Sequence, residues 1–330
     1  MENGEQRVLM EIPMKILRVG DPHVTPSNIF ECQKLIDFVI KTAKDNQIET
    51  IEFLGDLFHT HAIKRVEVEE FWFNNFQKLI ENNFKLLILI GNHDVCGSKE
   101  KEQTNSLNVF SPLHLQIINK PMIINNIAYI PFTSNIDSFL ASSKKLYDMG
   151  ASKLLVAHQN FSSELFGGYI NPDLILQDNI IAGHIHVSDQ IGKCFYTGTP
   201  KWDDANDANL QKGIWIYKHN PDGSVVSKQF ISTENIVTPI YKIVLHEGEA
   251  TPILKKNARN YLEFHGKTEW IAQMKKLFKG KAHIKGVPID RKISSINMNE
   301  TYTLYDYLNA QFSPIDGVSK EEMVDYLKGI

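Results

Sequence analysis

The sequence predicts an α/β protein: two packed sheets flanked by helices, then a small C-terminal α+β domain and a helical tail. Three observations carry that expectation. Apolar runs alternate with helical stripes over the first hundred residues. From there to Thr233 the chain breaks into short strands joined by turns. Beyond Thr233 it changes character, and residues 252–292 turn basic.

The first strand is read at Met14–Val19, which runs into Gly20-Asp21. Residues 28–46 then place Ile29, Cys32, Leu35, Ile36, Val39 and Ala43 at helical spacing. Ile48–Leu54 is the next strand, a second helix carries Val68, Trp72, Phe76 and Leu79, and Leu86–Ile90 is a near-continuous apolar strand. Such strand–helix–strand alternation argues for a mostly parallel sheet covered on both faces. Met122–Phe132, Lys153–Ala157, Asn179–Ala182, Lys193–Thr197 and Gly213–His219 read as strands of a second sheet packed on the first. Asn220-Pro221-Asp222-Gly223 reads as a hairpin loop leading into Val225–Ile231. Ile240–Leu245 and Asn260–Phe264 look like strands of a smaller domain, and Trp270–Phe278 like a basic helix. In the tail, Tyr305, Leu308 and Phe312 keep helical spacing, and Ser319-Lys320-Glu321-Glu322 has the form of a capping box. The expected division is an N-terminal extension over 1–13, a main domain over 14–235, a small capping domain over 236–292 and a helical tail over 293–330.

Composition narrows the class. Hydrophobic residues make up 42% and charged residues 22% of the 330, ordinary for a soluble globular chain. No apolar run approaches a membrane span, and the acidic start Met1-Glu2-Asn3-Gly4-Glu5 does not read as a secretory signal. Cys32, Cys96 and Cys194 are unpatterned and read as free thiols, so the expected compartment is cytoplasmic, or the host cytoplasm for a phage protein. Net charge is −4, but residues 252–292 hold eleven Lys/Arg against Glu263, Glu269 and Asp290. That local balance of +8 leaves −12 for the rest, so the overall charge does not exclude a polyanionic substrate.

The chemistry lies where apolar runs end. Asp21-Pro22-His23, Gly55-Asp56-Leu57-Phe58-His59, Gly91-Asn92-His93-Asp94, His158 and Gly183-His184-Ile185-His186 recur in order along the chain. Asp21 and His23, two apart on an extended chain, would point to one side. Asp56 has two oxygens with which to bridge a pair of cations. Asn92 offers a neutral oxygen, and His158, His184 and His186 offer imidazoles. Oxygen and nitrogen donors without thiolate suit manganese, iron or zinc better than calcium. Two ions about 3.5–4 Å apart would clamp a phosphate and activate water. His93, one residue beyond a ligand, could protonate a leaving oxygen while Asp94 orients its ring. Singly, an Asp-x-His or a Gly-Asn-His-Asp turn is commonplace; the whole set in order at strand ends is hard to obtain by chance. His61, His114, His219, His246, His265 and His283 lack that context and read as ordinary surface or core histidines.

These motifs resemble the calcineurin-like metallophosphoesterase superfamily over about residues 14–235. Gly55-Asp56-Leu57-Phe58-His59, His158-Gln159-Asn160 and Tyr196-Thr197-Gly198-Thr199-Pro200 resemble its nuclease branch, the SbcD-like and phage recombination endonuclease subunits. The resemblance implies a first metal held by Asp21, His23, Asp56 and His186, and a second held by Asp56, Asn92, His158 and His184. It implies His93 as the catalytic histidine and His59 as its helper. Two divalent ions are expected, manganese foremost, with magnesium, iron or zinc as alternatives. DNA is the implied substrate and an SbcC-like coiled-coil ATPase subunit the implied partner, and a homodimer stays open. Where relatives carry Leu-Gly after the first histidine, this chain has Val24-Thr25, which alters the loop. Lys201, Trp202, Lys275, Lys276 and Lys279 are candidate DNA contacts, with packing the stronger expectation for Trp202. The expected activity is two-metal DNA cleavage, exonuclease or endonuclease, in a recombination or repair complex. The alternatives are a stand-alone phosphoesterase acting on nucleotides or phosphoproteins, and a scaffold that kept the fold.

Overall fold

A computed structural model describes residues 13–61, 63–96, 104–113, 115–162 and 169–289. The chain opens with β1 (Met14–Val19), α1 (Ile29–Asp45), β2 (Thr50–Phe53), α2 (Val66–Glu81) and β3 (Lys85–Leu89). Helix α1 buries Cys32, Leu35, Ile36, Val39 and Ala43, the stripe its spacing predicts. Both helices stop the same way. Gln47 and Asn83 take left-handed φ of 54° and 62°, and Ile48 and Phe84 donate back to the Ala43 and Leu79 carbonyls. Trp72 on α2 is fully buried against Phe53 and Phe76, and its indole donates to the Leu57 carbonyl at 3.2 Å. That one side chain ties a helix to the loop after β2, and truncating it to Ala should cost about 3–5 kcal/mol.

A short ribbon of β4 (Val95–Cys96) and β5 (Thr104–Asn105) leads to β6 (Gln116–Ile118). Next come β7 (Met122–Ile124), β8 (Ile127–Ile130), α3 (Ile136–Asp148), β9 (Leu154–His158), β10 (Asn179–Gly183), β11 (Asp189–Ile191) and β12 (Cys194–Tyr196). β13 (Gly213–His219) and β14 (Val225–Ser232) form the expected hairpin. The first sheet runs β14-β13-β1-β2-β3-β6, with β1, β2, β3 and β6 parallel. The second runs β11-β12-β10-β9-β8-β7, with β12, β10, β9 and β8 parallel. Ile16, Leu54, Leu87, Leu89 and Ile118 meet Ile127, Tyr129, Leu154, Val156 and Ile181 to form the core between the sheets. On its far face the second sheet packs Leu155, Ala157 and Ile180 against Phe139 and Leu146 of α3.

Three expectations change here. Gly213–His219, read as a strand of the second sheet, pairs antiparallel with β1 in the first, and the hairpin brings β14 with it. Met122–Phe132 is a hairpin rather than one strand, because Asn125 and Asn126 both take positive φ, 50° and 61°, as a tight two-residue turn requires. Helix α3 was not expected; Asn135 caps it by accepting from Ser138 N at 2.8 Å.

The chain divides into two compact units: the described residues up to Lys242 with Leu254–Asn260, and Ile243–Ile253 with those from Tyr261 on. The third sheet consists of β15 (Ile240–His246), β16 (Arg259–Gly266) and β17 (His283–Pro288), with α4 (Thr268–Leu277) crossing between the parallel β16 and β17. Phe264, Ile271, Met274 and Phe278 fill the second unit's interior. The tail expected to be helical, with Tyr305, Leu308 and Phe312, lies outside the described residues, as do residues 1–12 and His114. Among the described residues, no helix is long and apolar enough to cross a membrane.

Candidate metal centre

Every motif expected to carry chemistry sits just past the carboxyl end of a strand, where parallel sheets place their sites. β1 leads to Asp21 and His23, β2 to Asp56, β3 to Asn92, β9 ends in His158, and β10 leads to His184 and His186. Glycines are what let these loops meet. A Cβ on Gly91 would lie 2.3 Å from Asp56 Oδ1, and one on Gly55, at φ +107°, would lie 2.4 Å from His158 Nδ1. His23, Asp56 and His184 themselves take positive φ, at 44°, 50° and 84°. Asp21 and His23 therefore converge through a left-handed bend, not through the extended chain their spacing suggested. Such backbone is sparsely populated by non-glycine residues and clusters at functional sites.

Asp56 is the hub. Its Oδ2 lies 3.6 Å from His23 Nε2, 3.3 Å from His158 Nε2 and 4.0 Å from His93 Nε2, while Oδ1 accepts the His93 backbone N–H at 2.7 Å. On one side, His23 Nε2 and His186 Nε2 stand 3.0 Å apart beside Asp21. On the other, Asn92 Oδ1 lies 2.9 Å from His158 Nε2 and 2.7 Å from His184 Nδ1. His158 Nδ1 donates to the Leu54 carbonyl at 2.7 Å, which turns Nε2 toward Asp56 and Asn92. Phe132 stacks on His184 and meets His158 edge-on. The structure thus gathers all seven residues expected as ligands into two groups that share Asp56.

The electrostatics fit bound divalent metal. Asp21 Oδ1 and His23 Nδ1 are buried without a hydrogen-bond partner, and Asp21, Asp56 and Asp94 have no Lys or Arg in ion pairing among the described residues. Burial pushes the Asp21 carboxyl well up, against the pull of His158. Burial would raise Asp56 too, but His158 and its hydrogen bond hold it low. Burial opposes charge on His158 as well, yet Asp56 and Asp21 outweigh it and lift that imidazole to about 10. His23 falls to about 2 and His184 to about 4, chiefly by burial. His158 thus substitutes for an external cation, and divalent ions would do so for the whole set.

His93 is half-open to solvent, and burial lowers its pKa. Its Nδ1 donates to the His59 carbonyl, not to Asp94. The role expected for Asp94 is therefore corrected. Asp94 is fully buried and accepts from Gly91 N and Leu57 N at 3.0 Å and Phe58 N at 3.3 Å, stapling two ligand loops together. The His59 ring stands 5.4 Å from that of His23 and 5.9 Å from that of His93. His61, read as ordinary, stacks on His93 with centroids 3.9 Å apart and pairs Nδ1 with the Asn92 carbonyl. Nothing in the spacing pointed to it.

Lys201 and Trp202 are also corrected as DNA contacts: both are buried, Lys201 pairing with Asp203 and the Trp202 indole donating to the Leu210 carbonyl at 3.1 Å. A second buried lysine escaped sequence reasoning. Lys212 Nζ donates to the His186 carbonyl at 2.7 Å, Thr199 Oγ1 at 2.8 Å and Asp207 Oδ1 at 2.6 Å, fixing the loop that presents His186. His186, Asp203 and Asp207 cluster tightly enough to hold an ion, but Lys201 and Lys212 already neutralise those two carboxylates. Lys275, Lys276 and Lys279 are exposed and line one concave surface of the second unit.

The calcineurin-like phosphoesterase family matches residues 14–213. The chain belongs to that family. It is 24% identical over 220 residues to exonuclease subunit 1 of Enterobacteria phage T4, covering 62% of this chain and 64% of that protein. It is 23% identical over 271 residues to the DNA double-strand break repair protein Mre11 of Methanosarcina mazei, covering 74% of this chain and 42% of that protein. The chain thus spans less than two thirds of the length of either. Among solved structures, Pseudomonas putida nuclease MPE aligns with a TM-score of 0.31 and 14% identity, over 66% of this chain and 87% of that one.

Proposed function

We propose that this phosphoesterase is a two-metal DNA nuclease, cleaving as exonuclease, endonuclease or both, and the nuclease subunit of an SbcC–SbcD-like recombination or repair complex. The observation that carries the reading is Asp56 Oδ2, placed among His23, His158 and His93 between two ligand groups. Asp21, His23, Asp56 and His186 would hold one ion, and Asp56, Asn92, His158 and His184 the other, with manganese the foremost candidate. When bound, two such ions supply Lewis-acid activation of a phosphodiester and of the attacking water. The archaeal relative's name supplies DNA as the substrate class, and the phage relative's name supplies exonuclease activity.

The chain's own part is orientation and proton transfer. His59's carbonyl fixes the His93 Nδ1 proton and the His61 stack holds the ring plane, leaving Nε2 turned toward Asp56 Oδ2. Lowered by burial, free His93 is neutral at pH 7. A bound phosphodiester's negative charge favours its protonated form, from which Nε2–H can be passed to the leaving oxygen. Lys275, Lys276 and Lys279 would meet DNA phosphates by counterion release. The tail over 293–330 would either dock the ATPase partner or complete the core of the small domain.

The test is manganese-dependent digestion of end-labelled duplex DNA beside bis(p-nitrophenyl) phosphate, with and without an SbcC-like ATPase. DNA digestion that the ATPase stimulates, and that weakens with a flatter salt dependence once Lys275, Lys276 and Lys279 are neutralised together, supports the reading. Turnover of the chromogenic ester with intact DNA would move the assignment to a stand-alone phosphoesterase. No turnover of either, with metal bound, would leave a scaffold.

A further inference from the structure

Beside the candidate metal centre, within the first unit, lies a cavity of about 720 Å³. That is the size of a small-molecule site, about 300–1,000 Å³. His59 forms one wall, so the cavity adjoins the ring 5.4 Å from His23 and 5.9 Å from His93. The start of α1 forms another wall, and it carries an anomaly. Phe30 is 76% exposed on a helix whose Leu35, Ile36, Val39 and Ile40 face inward. The Lys34 ammonium sits 4.8 Å from the Phe30 ring centroid, yet ring surface remains open for a flat partner.

The charges of the lining decide what that partner is. Glu31, Asp203 and Asp204 face Lys34, Lys201 and Arg259, and Lys201 is already paired with Asp203. A balanced lining of this kind does not track a polyanion, which basic grooves do. It suits an uncharged aromatic ring bearing N–H and O–H donors, held next to a phosphate that sits elsewhere. A nucleoside has that composition.

We propose that this cavity is a nucleoside subsite: it takes the base and sugar of one nucleotide flanking the scissile phosphate, with Phe30 as the stacking platform. The inference rests on the phosphodiesterase reading of the adjoining centre and adds to it a preference for an unpaired nucleotide at the cleavage point. A stack on an exposed aromatic is sequence-tolerant, because every base has a flat face. The subsite would therefore select nucleotides over other phosphate esters without selecting among bases.

The test compares KM for thymidine 5′-(p-nitrophenyl phosphate), thymidine 3′-(p-nitrophenyl phosphate) and bis(p-nitrophenyl) phosphate, using the full-length, manganese-supplemented protein. One thymidine ester should have a KM about ten-fold below that of the non-nucleoside ester, the scale expected of a base–aromatic stack. Phe30→Ala should erase that ratio and Phe30→Trp should restore it. Equal KM values in the parent protein, or a ratio that survives Phe30→Ala, overturns the subsite. So does a Phe30→Ala variant that changes sedimentation while keeping the ratio, which would assign the ring to a contact between copies of the chain. DNA digestion is scored separately. Preference for a thymidine ester with intact DNA keeps the subsite and sinks the nuclease reading; digestion without that preference does the reverse.

Discussion

The same two strands carry two buried polar clusters of opposite design. In mid-strand, Arg18 of β1 and Glu52 of β2 form a fully buried ion pair. The Tyr129 hydroxyl donates to Glu52, the Arg18 Nη1 donates to His219 Nε2 at 2.9 Å, and the guanidinium lies 4.6 Å from the Tyr217 ring centroid. A few residues on, past the strand ends, come Asp21 and Asp56, equally buried, but with imidazoles as their only ion-pair partners among the described residues. The first cluster balances its charges within the chain; the second leaves carboxylates for something outside it. A buried polar group says little alone about function. What distinguishes a site from a structural pair is whether the compensating charge belongs to the protein.

The largest break of that contrast is at the hub. Asp56→Asn should remove both ions and drop turnover below detection, because its carboxylate faces both ligand groups. Elemental analysis that finds two retained ions with near-normal activity would show that Asp56 bridges nothing. His93→Ala is next. Its ring meets Asp56 only at 4.0 Å, so both ions should stay while kcat falls about 10²–10⁴-fold, the usual worth of a proton-transfer group. Loss of metal along with the ring would make His93 a ligand instead.

The third prediction sets the clusters against each other by stability. Glu52→Leu strands the Arg18 charge inside the sheet and should destabilise the fold by about 3–5 kcal/mol. Asp21→Asn removes a buried carboxylate whose pKa burial has raised, so the metal-free protein should gain about 1–2 kcal/mol while losing an ion. Denaturant melts in chelator decide it. If both variants lose stability alike, the metal-free centre is as self-compensated as the Arg18–Glu52 pair, and the contrast fails.

The sequence made one kind of information legible and hid another. Apolar runs ending in Gly55-Asp56 and Gly91-Asn92 point both to the parallel strands and to the candidate ligand positions, because the end of a strand and the residue just past it are neighbours in sequence. The family match over residues 14–213 and the two packed sheets agree with the strand reading. What stayed hidden depends on contacts distant in sequence. Asp94 follows His93 and is expected as its partner, whereas its Oδ1 reaches the Leu57 and Phe58 amides across the fold. His61 lacked a motif, yet the turn after Phe58 lays it on His93. Lys201 follows a Gly-Thr-Pro loop and was a candidate DNA contact; its partner Asp203 and its burial depend on packing that composition does not report.

The smallest effect probes the mid-strand cluster through pH. His219 Nδ1 donates to the Gly223 carbonyl at 3.2 Å, which leaves Nε2 as the acceptor for Arg18. Burial first, and the Arg18 charge second, lower its pKa to about 3 in the folded state, against about 6.5 in an unfolded chain. Between those values the unfolded chain binds a proton that the folded one does not. Stability is therefore unaffected by His219 above about pH 6.5 and falls as the pH drops, by at most about 1.4 kcal/mol per unit for this one proton. His219→Gln keeps an acceptor for Arg18 but cannot titrate. The candidate metal centre also titrates in this range, and its contribution cancels in the difference between parent and variant as long as the two sites act independently. Whatever offset the substitution introduces at pH 7.5, that difference should drift in favour of the variant as pH falls from 6.5 to 4.5. Parallel curves would mean that His219 takes up its proton in the folded protein, and that the mid-strand cluster is open to outside charge in the way proposed for the Asp21–Asp56 cluster.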